Sequence, residues 1–559
     1  FPMNCSINRL LLLSLVLALS ACERRSAVDH LFINGAVYTV NPEQPWAQAL
    51  AVRDGLIIDV GDQAEMLEVY DGAIVDLEGK MLLPGFHDSH SHLIYGGLEL
   101  RQCLLYDSAT VEEVIAKIQS CDADLGPDEW LVGAGWNLSL FELANPSKLI
   151  LDEINPNRMM FLKGADGHSA WVSSKALVRA GIVAETPDPS DGLIERDPIG
   201  EPTGTLRESA MTLVEQLLPG ALPEDLIEAA ENAIALSHSL GITSAIDAAA
   251  TEAYARAFDA LASEGRMNLR LVLAMPVISP FFDQAPRESV VVSDRGRDQS
   301  VRRHAAKVFV DGVLEGETAA LLEPYLGASP HSGMLVTPPE ALNRLVTEMD
   351  KSQIQIMFHA IGDRGVRVAL NAVEAAQNAN GYQDLRHHIS HLQMIDPEDQ
   401  PRFKELAVSA NFQALWALPD DYIMEINLPA VGEQRVTQMY PIGSLEAAGA
   451  RIVGGSDWPI SSMNPLAAIE TAITRADAEG KIPGSLNLTE AVSLETMLRA
   501  YTLEGAYLMH QESTTGSLEV GKRADLVVLS DNLFEVEADR ISDVWVERTY
   551  FSGQQVYPQ

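Results

Sequence analysis

Pro84-Gly85-Phe86-His87-Asp88-Ser89-His90-Ser91-His92-Leu93 reads as a short strand that starts after a Pro-Gly turn and ends in two histidines. Residues two apart on a strand point to the same face, so His90 and His92 emerge side by side. Seven further apolar runs follow, at 242–248, 269–277, 306–310, 354–358, 387–392, 407–412 and 451–454. Amphipathic stretches of helical period lie between them, among them 224–240, 340–352 and 365–378. Strand alternating with helix implies a parallel sheet, and eight such units predict an α/β fold built on a (β/α)8 TIM barrel.

Outward from the barrel, both flanks change character. Residues 29–83 hold short β segments at 31–35, 49–52 and 56–60, with an Asp54-Gly55 hairpin signal between the last two. Residues 516–559 return to β character at 524–529 and 544–546, and are expected to pair with the N-terminal strands in a small composite sandwich. The organisation is therefore a leader at 1–22, one part of the sandwich at 23–83, the barrel at 84–515 and the second part of the sandwich at 516–559. A long insertion, about 97–223, interrupts the first strand–helix unit. It opens a helix with a Thr110-x-x-Glu113 capping box and places Val111, Val114, Ile115 and Ile118 on one face. An insertion after a barrel strand emerges above the C-terminal ends of the strands, where a lid or substrate-selecting unit belongs.

The chain has 559 residues, 47% of them apolar and 21% charged, which suits a large packed core and excludes global disorder. Its net charge of −40 repels phosphate backbones and argues against a nucleic-acid partner. After Met3 and Arg9, an apolar run at 10–19 is too short to span a bilayer and ends in Leu19-Ser20-Ala21-Cys22. This resembles a bacterial lipobox, which implies an exported chain tethered by lipid on Cys22; Glu23 after it favours outer-membrane sorting, so the expected location is the periplasm or cell surface. An ordinary cleaved signal is the alternative. In such a compartment Cys103 and Cys121 are free either to form a disulfide or to stay as two buried thiols.

The chemistry gathers at strand ends. His359 closes the fifth strand, His391 the sixth and Asp457 the eighth, so four histidines and a carboxylate converge on one barrel face. Neutral imidazoles and a carboxylate are ligands for zinc and similar cations. Lys307 on the fourth strand has two readings: carboxylated by CO2 it is a carbamate able to bridge two cations, and unmodified it is a buried charge in need of a carboxylate, with Asp311 on its face.

The order HxH, Lys, His, His, Asp on strands one, four, five, six and eight resembles the amidohydrolase superfamily, and more narrowly amidohydrolase family 3, the group that contains N-substituted formamide deformylase. The likeness covers nearly all of the chain after the leader: residues 84–90, Asp166-Gly167-His168-Ser169-Ala170-Trp171, 307–312 with Thr318-Ala319-Ala320, 359–363, Gly455-Ser456-Asp457-Trp458-Pro459 and 516–522. Two positions depart from the family pattern. Ser390 precedes His391 where Ile-Glu-His is usual, and Asn137 follows Gly135-Trp136 where an acidic residue is common.

The resemblance implies a metal-dependent hydrolase acting on a small molecule through a carbon–nitrogen bond of amide, N-acyl or N-formyl type. It implies two divalent cations, zinc foremost, with manganese, iron or cobalt also compatible: one on His90, His92 and Asp457, one on His359 and His391, and carboxylated Lys307 between them. Asp457 is then the general base and acid. Trp136, Asp166, His168 and Asp311 are candidates to line the substrate. Hydrolysis of a lactone, ester or phosphoester, or ring deamination, on the same metals is the nearest alternative; a non-catalytic metal- or ligand-binding surface lipoprotein is the more distant one.

Overall fold

A computed structural model describes residues 25–106, 108–279, 299–327 and 330–558. The leader and Cys22 lie outside the described residues, and among these no helix is long and apolar enough to cross a membrane.

Eight parallel strands form one sheet in chain order: β1 (Phe86–Ser91), β2 (Ile242–Asp247), β3 (Arg270–Ile278), β4 (Val301–Phe309), β5 (Gln355–Ala360), β6 (His388–His391), β7 (Ser409–Phe412) and β8 (Arg451–Gly454). Side chains alternate between two cores, as the two-residue period of a strand requires. Along β3, Leu271, Leu273 and Met275 pack outward against the helices, whereas Val272 and Ala274 face the barrel interior with Ile246, Ala305, Met357 and Val453. The helices Pro223–Ser239, Pro339–Lys351 and Asp363–Asn380 carry the amphipathic faces read from the sequence.

The seam between β8 and β1 closes just past the strand ends. Asp457 N–H donates to His90 O at 2.6 Å, His92 N–H donates to Trp458 O at 2.8 Å, and Ser91 bridges Trp458. Glycine is required at 455, because a Cβ there would lie 2.7 Å from both the Cβ and the N of His90.

The flanking strands make two stacked sheets. One contains only N-terminal strands, Leu56–Gly61, Ala49–Arg53, Ser26–Ile33 and Tyr70–Asp76. The other is composite: Leu526–Leu529 pairs antiparallel with Met81–Pro84, Val527 opposite Leu83. Phe32, Leu50 and Ile57 meet Leu82, Leu526 and Val528 in the core between them. Asp54 and Gly55 both take positive φ, 53° and 73°, as a two-residue hairpin turn demands.

The insertion has a sheet of its own, six strands between Cys103–Leu104 and Pro202–Glu208, where the sequence pattern gave only a helix. That helix is present as Val111–Ala123: Thr110 Oγ1 caps Glu113 N–H, and Val114 and Ile118 are buried. Cys103 and Cys121 are joined, tying the first insertion strand to this helix. For a bond spanning 18 residues the chain-entropy model gives about 3 kcal/mol. Cys121→Ser should lower unfolding stability by about that amount in denaturant titration. On the chain from residue 23, thiol alkylation should add label only after reduction.

Candidate active site and metal centre

The strand ends deliver their side chains to one buried cluster. His90 and His92 leave β1 two residues apart, and Asp457 arrives from the loop after β8. Asp457 Oδ1 lies 3.1 Å from His90 Nε2 and 3.0 Å from His92 Nε2, and Oδ2 lies 4.0 Å from His391 Nδ1. The ring of His391 is 4.7 Å from that of His90 and 4.4 Å from that of His359. Lys307 Nζ reaches into the same cluster, 3.2 Å from His90 Nε2. His391 and Asp457 hold positive φ, 79° and 57°, a conformation rare outside glycine and kept here by the surrounding packing.

The electrostatics favour ligation. Burial and the nearby Lys307 amine push His90 down to about 3, and burial holds His359 and His391 well below the usual imidazole range, so the rings are neutral and their lone pairs available. Burial alone would raise Asp457, but the adjoining histidines hold it well below the usual carboxylate range. Among the described residues the group whose donor atoms lie within 4.8 Å of one another is His90, His92 and Asp457. The buried Nδ1 of His391 has no hydrogen-bond partner. An ionised carboxylate, two imidazoles on its Oδ1 and the orphaned nitrogen of His391 beside them fit a divalent cation. His359 turns its Nε2 toward Gly312 O at 3.2 Å, which fixes its ring.

A buried carboxylate beneath the cluster aligns it. Asp88 accepts hydrogen bonds from His90 N–H at 3.1 Å, Ser456 N–H at 2.9 Å and Ser456 Oγ at 2.5 Å. It thereby joins the strand that carries both histidines to the residue before Asp457.

Above the cluster lies a cavity of about 790 Å³, lined by His92, Lys307, His359, His391 and Asp457 on the barrel side and by Lys163, 165–168, Met211, Thr212, Glu215 and Gln216 of the insertion on the other. The candidate substrate residues divide. Asp166 and His168 line the cavity: Asp166 is held by Ser169 Oγ at 2.6 Å, and His168 Nδ1 meets Glu208 Oε2 at 2.9 Å. Trp136 and Asp311 do not. Trp136 is 0% exposed and donates its indole N–H to Leu162 O at 2.9 Å inside the insertion core. Asp311 accepts from the backbone N–H groups of Ala320, Ile361 and Gly362 at 2.9–3.0 Å, so it fastens loops instead of pairing with Lys307. Lys307 forms no ion pair among the described residues.

The sequence reading missed Glu208, which holds His168 and accepts from Thr318 Oγ1 at 2.5 Å, and Trp416, stacked on His391 at 5.5 Å and 3°. It also missed Glu315 and Asp420 in the cavity wall. Glu315, Trp416 and Asp420 follow β4 and β7 on the C-terminal face, so barrel topology was the available signal. Glu208 had none.

The amidohydrolase family model matches residues 73–557. The chain belongs to the amidohydrolase family. This amidohydrolase is 32% identical over 549 residues to the protein LONG AFTER FAR-RED 3 of Arabidopsis thaliana, covering 95% of this chain and 92% of that one. It is 29% identical over 540 residues to the N-substituted formamide deformylase of Arthrobacter pascens, covering 94% and 97%. Among solved structures, an uncharacterized metal-dependent hydrolase from Pyrococcus horikoshii OT3 superposes with a TM-score of 0.70 at 25% identity, covering 91% of this chain and 99% of that one. Family and site geometry together make this amidohydrolase a metal-dependent hydrolase.

Ser456→Ala should leave Asp88 Oδ2 unpaired, lower stability by about 1–3 kcal/mol and weaken metal affinity roughly 10- to 100-fold. Denaturant titration and chelator competition measure the two effects. Unaltered metal affinity would mean that this carboxylate does not align the ligands.

Proposed function

We propose that this amidohydrolase cleaves the carbon–nitrogen bond of a small non-peptide amide, N-acyl or N-formyl compound, with Asp457 as general base and then general acid. The observation that carries the reading is the Asp457 carboxylate, ionised, set between the imidazoles of His90 and His92 and open to a cavity of small-molecule size. When bound, divalent cations polarise the scissile carbonyl and acidify water. His90, His92 and Asp457 would hold one, His359 and His391 a second. Zinc suits a donor set of imidazole and carboxylate without thiolate.

Lys307 supports the second position. Burial lowers its amine to about 8, although Asp457 pulls the other way, and among the described residues no carboxylate forms an ion pair with it. A neutral amine is the form that adds CO2, and the resulting carbamate would restore a negative charge between the histidines. Asp457 takes the proton of the attacking water and delivers it to the departing nitrogen, so that the amine leaves neutral. The deformylase among the relatives is the precedent for the N-formyl bond. We read the chain further as exported and lipid-anchored at Cys22, a setting in which a disulfide such as Cys103–Cys121 persists.

Metal content of the protein purified with bicarbonate, measured by plasma mass spectrometry, should approach two per chain. Lys307→Ala should bring it towards one. Asp457→Asn should cut amide turnover by roughly 10²–10⁴-fold. Wild-type turnover in that variant would exclude Asp457 as the proton carrier.

A further inference from the structure

The two sides of the cavity differ in how their charges are satisfied. On the insertion side Lys163 Nζ pairs with Glu215 at 2.8 Å, and Asp166 is bonded by Ser169 and lies in the field of Arg207. Across the cavity the loops after β4 and β7 place Glu315 and Asp420 within each other's field, and neither has a Lys or Arg partner among the described residues. Among the described residues, the side chain that bonds Glu315 is Asn427, whose Nδ2 donates at 2.8 Å; Asp420 accepts the Ile423 backbone N–H at 2.9 Å. Five carboxyl groups line the cavity against two amines, and Glu315 and Asp420, without a Lys or Arg partner among the described residues, both stand on this wall.

The neighbouring Asn427 is 0% exposed and leaves its Oδ1 without a hydrogen-bond partner. Burial raises both carboxylates, Asp420 to about 7, with His168 pulling Glu315 the other way, and a cationic group with N–H donors in the space beside them would stabilise their ionised forms. The aromatic side chains of Tyr422, Tyr440 and Trp416 share the wall, and aromatic faces attract organic cations. Trp416 continues to the metal centre through its stack on His391.

We propose that Glu315 and Asp420, with the aromatic side chains of Trp416, Tyr422 and Tyr440, form a subsite for a protonated amine, so that the substrate is an N-acyl or N-formyl compound carrying a second, cationic amino group. The inference rests on the carbon–nitrogen reading for which bond breaks; the subsite itself rests on the wall. An ammonium there donates to both carboxylates and lies against the aromatic rings. The scissile carbonyl then extends past Trp416 toward Asp457.

The test uses mono-N-acetyl and mono-N-formyl α,ω-diamines of graded length, each beside its uncharged alkyl isostere, on metal-loaded full-length protein. For the best length, kcat/KM should exceed that of the isostere roughly tenfold or more, the scale of a charged hydrogen bond. In Glu315→Gln and Asp420→Asn the ratio should fall toward one; because it is a ratio within one preparation, a folding defect cancels. Calorimetry with 1,4-diaminobutane against 1,4-butanediol gives a readout independent of turnover. Binding of the diamine alone, weakened in both variants, supports the subsite even if no amide in the series is cleaved, an outcome that would sink the carbon–nitrogen reading instead. Equal turnover of charged and uncharged partners, or no preference for the diamine, overturns the inference and leaves the hydrolase reading standing.

Discussion

The barrel and the metal centre are closed by one interaction, the buried carboxylate of Asp88 against Ser456. An open eight-stranded parallel sheet has two edges, and the hydrogen bonds that join them fall at the C-terminal end, between residues 90–92 and 457–458. Asp88 spans that seam from below. The glycine at 455 allows the two backbones to come close enough. Closure of the fold and convergence of the ligands are therefore the same event, and a fault in the seam separates Asp457 from both histidines.

Burial then sets the chemistry. A histidine at the surface would share its lone pair with a proton near neutral pH, but His90, His359 and His391 are held neutral by the loss of water around them. The Asp457 carboxylate, by contrast, is kept ionised by the histidines around it. The same exclusion of water makes the amine of Lys307 an uneasy cation and leaves Asp88 raised to about 6, since its three hydrogen bonds only partly offset its burial.

Much of this was legible beforehand. The eight strands stand out because each is a short apolar run bounded by turns, and β1, β5, β6 and β8 end at or beside His90, His359, His391 and Asp457. The insertion sheet was not legible, because strands such as Ser169–Val172 and Met160–Gly164 are brief and mixed in character. Trp136 and Asp311 show the limit for single residues. Each sits in a motif that resembles the family's, and sequence alone does not separate a side chain that faces the substrate from one that fastens the loop beneath it.

The composite sheet has a consequence for the life of the chain. Strand Met81–Pro84, just before the barrel begins, lies between Ala36–Tyr38 and Leu526–Leu529, so its second edge stays open until residues 526–529 have been synthesised. A message cut short, or a tail trimmed by a protease, leaves an apolar strand with unpaired backbone groups. Pairing with Leu526–Leu529 is what conceals that edge, so the N-terminal sheet depends on residues more than four hundred positions away.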